Sequence, residues 1–88
     1  MDAPYYSGIL FRIFKENIRM KNRLKVERAI LDITQEDLAK KIGVSRQTIN
    51  SIEKNRYIPS TVLALKLSVV FNKQVNDFFT LDDADWSS

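Results

Sequence analysis

The sequence contains no cysteine and no histidine, and only 2 glycines and 2 prolines in 88 residues. Without cysteine there is no disulfide, no thiolate metal site and no thiol nucleophile. Without histidine there is no imidazole base or ligand. The lack of cysteine suits a reducing compartment, and a cytoplasmic location is the expectation. With Gly8 and Gly43 as the glycines available, no glycine-rich phosphate loop can form. Apolar runs such as Val69-Val70-Phe71 are far too short to cross a bilayer, so no membrane partner is expected. A signal peptide is equally absent, because the patch Ile9-Leu10-Phe11 is broken by Arg12 and Lys15.

What remains is an ordinary globular composition, 44% hydrophobic and 28% charged, sized for one small core. The net charge of +3 is unevenly spread. Residues 20–76 hold 11 Lys/Arg against 5 Asp/Glu, whereas 77–88 hold Asp77, Asp82, Asp83 and Asp85 with no base. A basic body with an acidic tail suits a polyanionic partner, and equally suits a solvated surface with a solubilising tail.

The chain divides at Met20 into a leader, 1–19, a helical body, 20–81, and an acidic tail, 82–88, expected to be a flexible solvated run. Two readings of the leader stay open. Lys15-Glu16 can be encoded by AAGGAG, a ribosome-binding sequence placed just upstream of the Met20 codon, which would make 1–19 translated upstream sequence. Alternatively, Ile9, Leu10, Ile13 and Phe14 form an amphipathic segment that packs on the domain or a partner.

From Leu24 to about Leu31 the pattern predicts a first helix. Thr34 then supplies a cap hydroxyl, with Asp37 in the first turn of a second helix, Gln35 to Ile42. Its buried side is Leu38, Ala39 and Ile42. Gly43 ends it, since a residue without Cβ takes positive φ freely. Ser45 caps a third helix running to about Lys54, and Asn55 is a plausible left-handed residue beyond it. A fourth helix, capped by Ser60, runs to about Phe71. It is apolar almost all round, as expected of a helix buried by its neighbours. A short fifth helix, about Val75 to Phe79, precedes a stretch with strand propensity.

The third helix carries the most specific signal. At 100° per residue, Arg46, Gln47, Asn50, Ser51 and Lys54 fall at about 0°, 100°, 40°, 140° and 80°, one stripe opposite Ile49 and Ile52. These side chains suit major-groove chemistry: Arg forks onto guanine, while Gln and Asn pair with adenine. The bland alternative is a solvated helix face. Such faces favour Glu and Lys, however, and this stripe carries no acid to repel a phosphate backbone.

The stretch "TQEDLAKKIGVSRQTINSIEKNRYIPS" resembles the Cro/CI-type (XRE family) helix-turn-helix, and with flanking helices the resemblance covers about residues 20–81. It is similar above all to a compact bacterial subgroup that includes a cytolysin-operon repressor. The resemblance implies an all-α, five-helix lambda-repressor-like fold with short terminal β-strands. It further implies a dimeric repressor on a near-palindromic double-stranded operator. From the residues themselves, with Asp82, Asp83 and Asp85 read as a solvated run and not a catalytic pair, no cofactor, no metal and no enzymatic activity is expected. Residue by residue, it gives base contacts to Arg46 and Gln47, followed by Asn50 and Ser51. Backbone contacts fall to Gln35, Ser45, Thr48, Lys54, Asn55, Arg56 and Tyr57. Arg28 and Glu53 match a structural ion pair. Glu27 departs from the pattern, standing where an apolar residue is frequent.

Phe78, Phe79, Leu81 and Trp86 lie outside the helix-turn-helix and are candidates for a homodimer interface, with core filling the simpler role for at least one of the phenylalanines. An alternative function is the antitoxin of a toxin–antitoxin pair, which binds DNA and a second protein. A protein-binding scaffold without DNA affinity is a third, disfavoured by the acid-free stripe.

Overall fold

The computed structural model describes residues 20–86. A two-residue strand, β1 (Lys21–Asn22), leads into α1 (Leu24–Leu31), α2 (Gln35–Ile42), α3 (Arg46–Glu53), α4 (Thr61–Phe71) and α5 (Val75–Phe78). Strand β2 (Phe79–Thr80) and a 3-10 helix, Asp83–Trp86, complete the order. The strands pair antiparallel, Lys21 opposite Thr80 and Asn22 opposite Phe79, which brings the two ends of the domain together. The architecture is the expected all-α one with five helices and short terminal strands. The leader, with Ile9, Leu10, Ile13 and Phe14, lies outside the described residues.

Helices α2, α3 and α4 each begin at a hydroxyl side chain that satisfies an orphan N–H of the first turn. Thr34 and Asp37 form a reciprocal capping box on α2, each side chain accepting from the other's backbone N–H at 3.0 Å. Ser45 and Ser60 accept from Thr48 N–H and Leu63 N–H, both at 3.2 Å. The stops are left-handed residues: Asp32, Gly43 and Asn72 end α1, α2 and α4 at φ of 55°, 76° and 54°. At Gly43 a Cβ would meet only the Lys66 ammonium at 4.0 Å, so the backbone angle and not the space selects glycine.

The core collects Leu24 from α1, Leu38, Ala39 and Ile42 from α2, Ile49 and Ile52 from α3, and Leu67 and Phe71 from α4. Phe78 and Phe79 close it from below. Phe78 meets Phe71 edge-on, with ring centroids 5.1 Å apart and planes at 82°, the geometry that aromatic quadrupoles favour.

Three expectations are corrected here. The fourth helix is not buried all round: Val62, Leu65 and Val69 are 61%, 56% and 81% exposed. A helix of 11 residues needs packing partners on every side to hide such a surface. Only the Leu67/Phe71 side finds them among the described residues. Phe78 and Phe79 are 0% and 8% exposed, so both rings belong to the core, Phe78 wholly and Phe79 with one edge left at the surface. Finally, the start of the tail is wound into a turn: Asp82 N–H donates to Asp85 Oδ2 at 2.8 Å, and Ala84 N–H to Asp82 Oδ1 at 3.0 Å.

Candidate nucleic-acid interface

The α2–turn–α3 unit is the part of the fold that the sequence shapes most tightly. Gly43, Val44 and Ser45 turn the chain, while Ile42 on one helix and Ile49 on the next seat both in the common core. The turn is held from outside by Lys66 of α4, whose Nζ donates to the Ile42 carbonyl at 3.2 Å. A cation at that spot satisfies an orphan carbonyl and meets the negative end of the α2 dipole.

With Ile49 and Ile52 buried, Arg46 and Gln47 are exposed, and Asn50 and Ser51 stand half-buried along the same edge of α3. The acid of α3 is turned away from that edge. Glu53 accepts from Arg28 Nε at 2.6 Å and from Arg28 Nη2 at 3.1 Å, a two-point clasp joining α1 to α3. Arg28 also donates to the Ile33 carbonyl at 3.1 Å. The hydrogen bond to Glu53, stronger than the opposing effect of burial, raises the guanidinium pKa above its ordinary value.

Gln35, at the first position of α2, sits between the two helices. Its Oε1 accepts from Arg46 Nη1 at 3.3 Å, and its Nε2 donates to Asn50 Oδ1 at 3.3 Å and to Glu53 Oε1 at 3.1 Å. The side chain the resemblance assigns to a phosphate is therefore occupied with its neighbours. The backbone N–H at this first helical position is what α2 presents outward.

The remaining expected positions divide. Ser45, Gln47, Thr48, Ser51, Arg56 and Tyr57 line one open cleft beside α3. Ser45 and Thr48 are linked through their hydroxyls at 3.0 Å. Lys54 is the exposed C-cap of α3, and Arg56 follows as an exposed cation. A second cleft is lined by Arg28, Thr34, Gln35 and Arg46, but also by Asp32 and Glu36, whose charges offset its two cations, whereas the Arg56 cleft holds no acid.

Asn55 takes the left-handed backbone expected of it, and its side chain is tied to β1. At φ 58° its Oδ1 accepts from Asn22 Nδ2 at 2.8 Å, and the same nitrogen donates to the Ile52 carbonyl at 2.9 Å. Asn22 Oδ1 in turn accepts from Leu24 N–H at 3.2 Å. Strand β1 thus fastens the carboxyl end of α3 and the amino end of α1 with one amide. Asn22 and Lys66 went unnoticed in the sequence because both act on backbone carbonyls, which no spacing rule reveals.

The family whose sequence pattern matches residues 24–78 is described as helix-turn-helix. The chain belongs to this family, of the XRE type: it is a DNA-binding transcriptional regulator and not an enzyme. It is 55% identical over 64 residues to an uncharacterized HTH-type transcriptional regulator of Methanocaldococcus jannaschii, a match covering 73% of this chain and 97% of that protein. A similar regulator of Archaeoglobus fulgidus is 47% identical over 66 residues, covering 75% of this chain and 94% of the relative. The HTH-type regulator YgzD of Bacillus subtilis is 44% identical over 64 residues, covering 73% and 97%. Among the described residues, no helix is long and apolar enough to cross a membrane, and no group of acids could hold a metal ion.

Proposed function

We propose that this regulator is a dimeric, sequence-specific repressor that lays α3 in the major groove of a near-palindromic operator. Arg46, Gln47, Asn50 and Ser51 meet base edges. Ser45, Thr48, Lys54, Arg56 and Tyr57 hold the adjoining phosphates, with the backbone N–H of Gln35 at the positive end of α2. Repression follows from occlusion, since a dimer covering a promoter element excludes polymerase.

One observation carries this reading. The edge of α3 that faces water presents Arg46, Gln47 and Asn50, while its carboxylate, on Glu53, is neutralised by Arg28 behind it. A face built this way can approach a polyanion closely and still discriminate bases. For dimerisation, Leu81 and Trp86 stand 57% and 76% exposed beside the paired strands and line one shallow groove with Asn76, Phe79 and Thr80. Two such copies would set their recognition helices about 34 Å apart, one turn of B-DNA.

Selection of bound duplexes from random DNA tests the proposal. A palindromic winner with half-sites one helical turn apart is expected. Enrichment of a single half-site bound by one chain would remove the dimer, and enrichment of nothing would remove sequence-specific reading.

A further inference from the structure

Two backbone groups set the polarity of the Asn22 amide in β1. The Leu24 N–H can only donate, so the Asn22 atom facing it at 3.2 Å is the oxygen. The Ile52 carbonyl can only accept, so the Asn22 atom facing it at 2.9 Å is the nitrogen. That nitrogen also lies 2.8 Å from the Asn55 amide, which meets it with its own oxygen. Both N–H bonds of Asn22 Nδ2 are thereby used, and the Nδ2 group of Asn55 is turned away from β1. Asn55 stands exposed between two exposed cations, Lys54 and Arg56, at the carboxyl end of α3.

We infer that Asn22 is a positioning residue for DNA affinity: it holds the Asn55 amide with its donor end outward, toward the phosphates that Lys54 and Arg56 grip. The inference rests on the backbone contacts proposed above for this end of α3. Phosphate oxygens only accept, so of the two ends of an Asn amide only Nδ2 can bind them. An untethered amide on the surface turns freely, and binding then costs the ordering of that side chain. Tied to Asn22, the amide is ordered when the domain folds and not when DNA arrives. Strand pairing keeps the tether in place, since Asn22 lies opposite Phe79 of β2. The joined ends of the domain thus raise affinity for DNA of any sequence and leave base choice alone.

A double-mutant cycle, titrated against operator and random duplex, tests this. Asn22→Ser keeps an oxygen that can accept from the Leu24 N–H and removes the amide that reaches Asn55. The Ile52 carbonyl retains its bond from the Asn55 N–H at 3.0 Å, so no carbonyl is orphaned. Asn55→Gly keeps the left-handed backbone and removes the other amide. For each bound chain, Asn22→Ser should weaken binding to both duplexes by about three- to tenfold. On the Asn55→Gly background the same change should cost nothing further.

Equal losses from Asn22→Ser on the two backgrounds would mean that it acts on the fold at large, and would overturn the inference. So would a loss confined to the operator. An Asn55→Gly protein that binds both duplexes as the parent does would remove Asn55 from the phosphates, and the proposed contact would fall first. A measurement on the unsubstituted protein does not depend on how any variant folds. When random duplex is added, the side-chain amide protons of Asn55 should exchange with water more slowly, while those of Asn22, already bonded, change little. Slowing at Asn22 alone, or no change at Asn55, would overturn the tether.

Discussion

Glu27 is buried in α1 with its side chain 4% exposed, and Lys73, just beyond α4, places its ammonium 2.7 Å from Glu27 Oε1. A position where an apolar residue is frequent in this family thus holds a carboxylate, and the chain supplies a cation to meet it. The pair ties α1 to the far end of α4. Lys73 is itself 38% exposed, so its own desolvation is partial.

Removing the cation should be worse than removing both charges. Lys73→Met strands a buried carboxylate and should cost about 1–3 kcal/mol, below the ~3–5 kcal/mol of a pair wholly excluded from water. Lys73→Met combined with Glu27→Leu should recover most of that loss. Urea unfolding of the three proteins measures both steps. A double variant no more stable than Lys73→Met would contradict the stranded-charge account.

Arg46→Ala should weaken binding to the selected operator by about 1–3 kcal/mol and relax base preference at one position in each half-site. Titration against the operator and against random duplex separates the two effects. Equal losses on both would mean that Arg46 meets phosphates and not bases.

Lys54 and Arg56, exposed at the end of α3, should act on DNA of any sequence. Replacing either with Gln is expected to lower affinity for operator and random DNA alike, and to reduce the slope of log K against log salt by about one. The salt series is the deciding measurement, since a retained slope leaves no role for that cation at a phosphate.

The α2 cap gives the domain an acid-sensitive element. Hydrogen bonds from the Thr34 backbone and side chain hold the Asp37 carboxyl below its ordinary pKa, with Lys40 and Lys41 adding smaller attractions. A carboxylate depressed on folding stabilises above its unfolded-state pKa and loses that contribution as pH falls through the folded-state value. Stability should therefore decline in acid through this group. Asp37→Asn should be destabilising at neutral pH and should converge on the parent as pH drops. Denaturation midpoints measured from neutral to strongly acidic pH give the comparison, and a gap that stays constant would exclude the cap.

Much of this was legible in the sequence because the signals were local. Thr34, Ser45 and Ser60 are hydroxyl residues one step before an apolar period, and Gly43 stands one step after another. The Arg46–Asn50 stripe follows from the helical repeat alone. Exposure of Val62, Leu65 and Val69 was not legible, since hydrophobicity says what a helix would bury and not how many neighbours arrive to bury it. The Gln35 network escaped for a related reason. Residues 35, 46, 50 and 53 converge only when the α2–α3 angle is set, and that angle is a property of core packing.

The two-residue ladder joining β1 to β2 has a mechanical meaning. Lys21 lies opposite Thr80, so the ends of the domain emerge side by side at one edge of an antiparallel pair. Force applied to those ends would load the pairing one rung at a time, as a zipper opens, and not in parallel as in shear. The first part to leave would be β1 with Asn22, and with it the amide that holds the Ile52 carbonyl and Asn55 at the end of α3. Tension between the ends would therefore reach the tip of α3 before it reached the core.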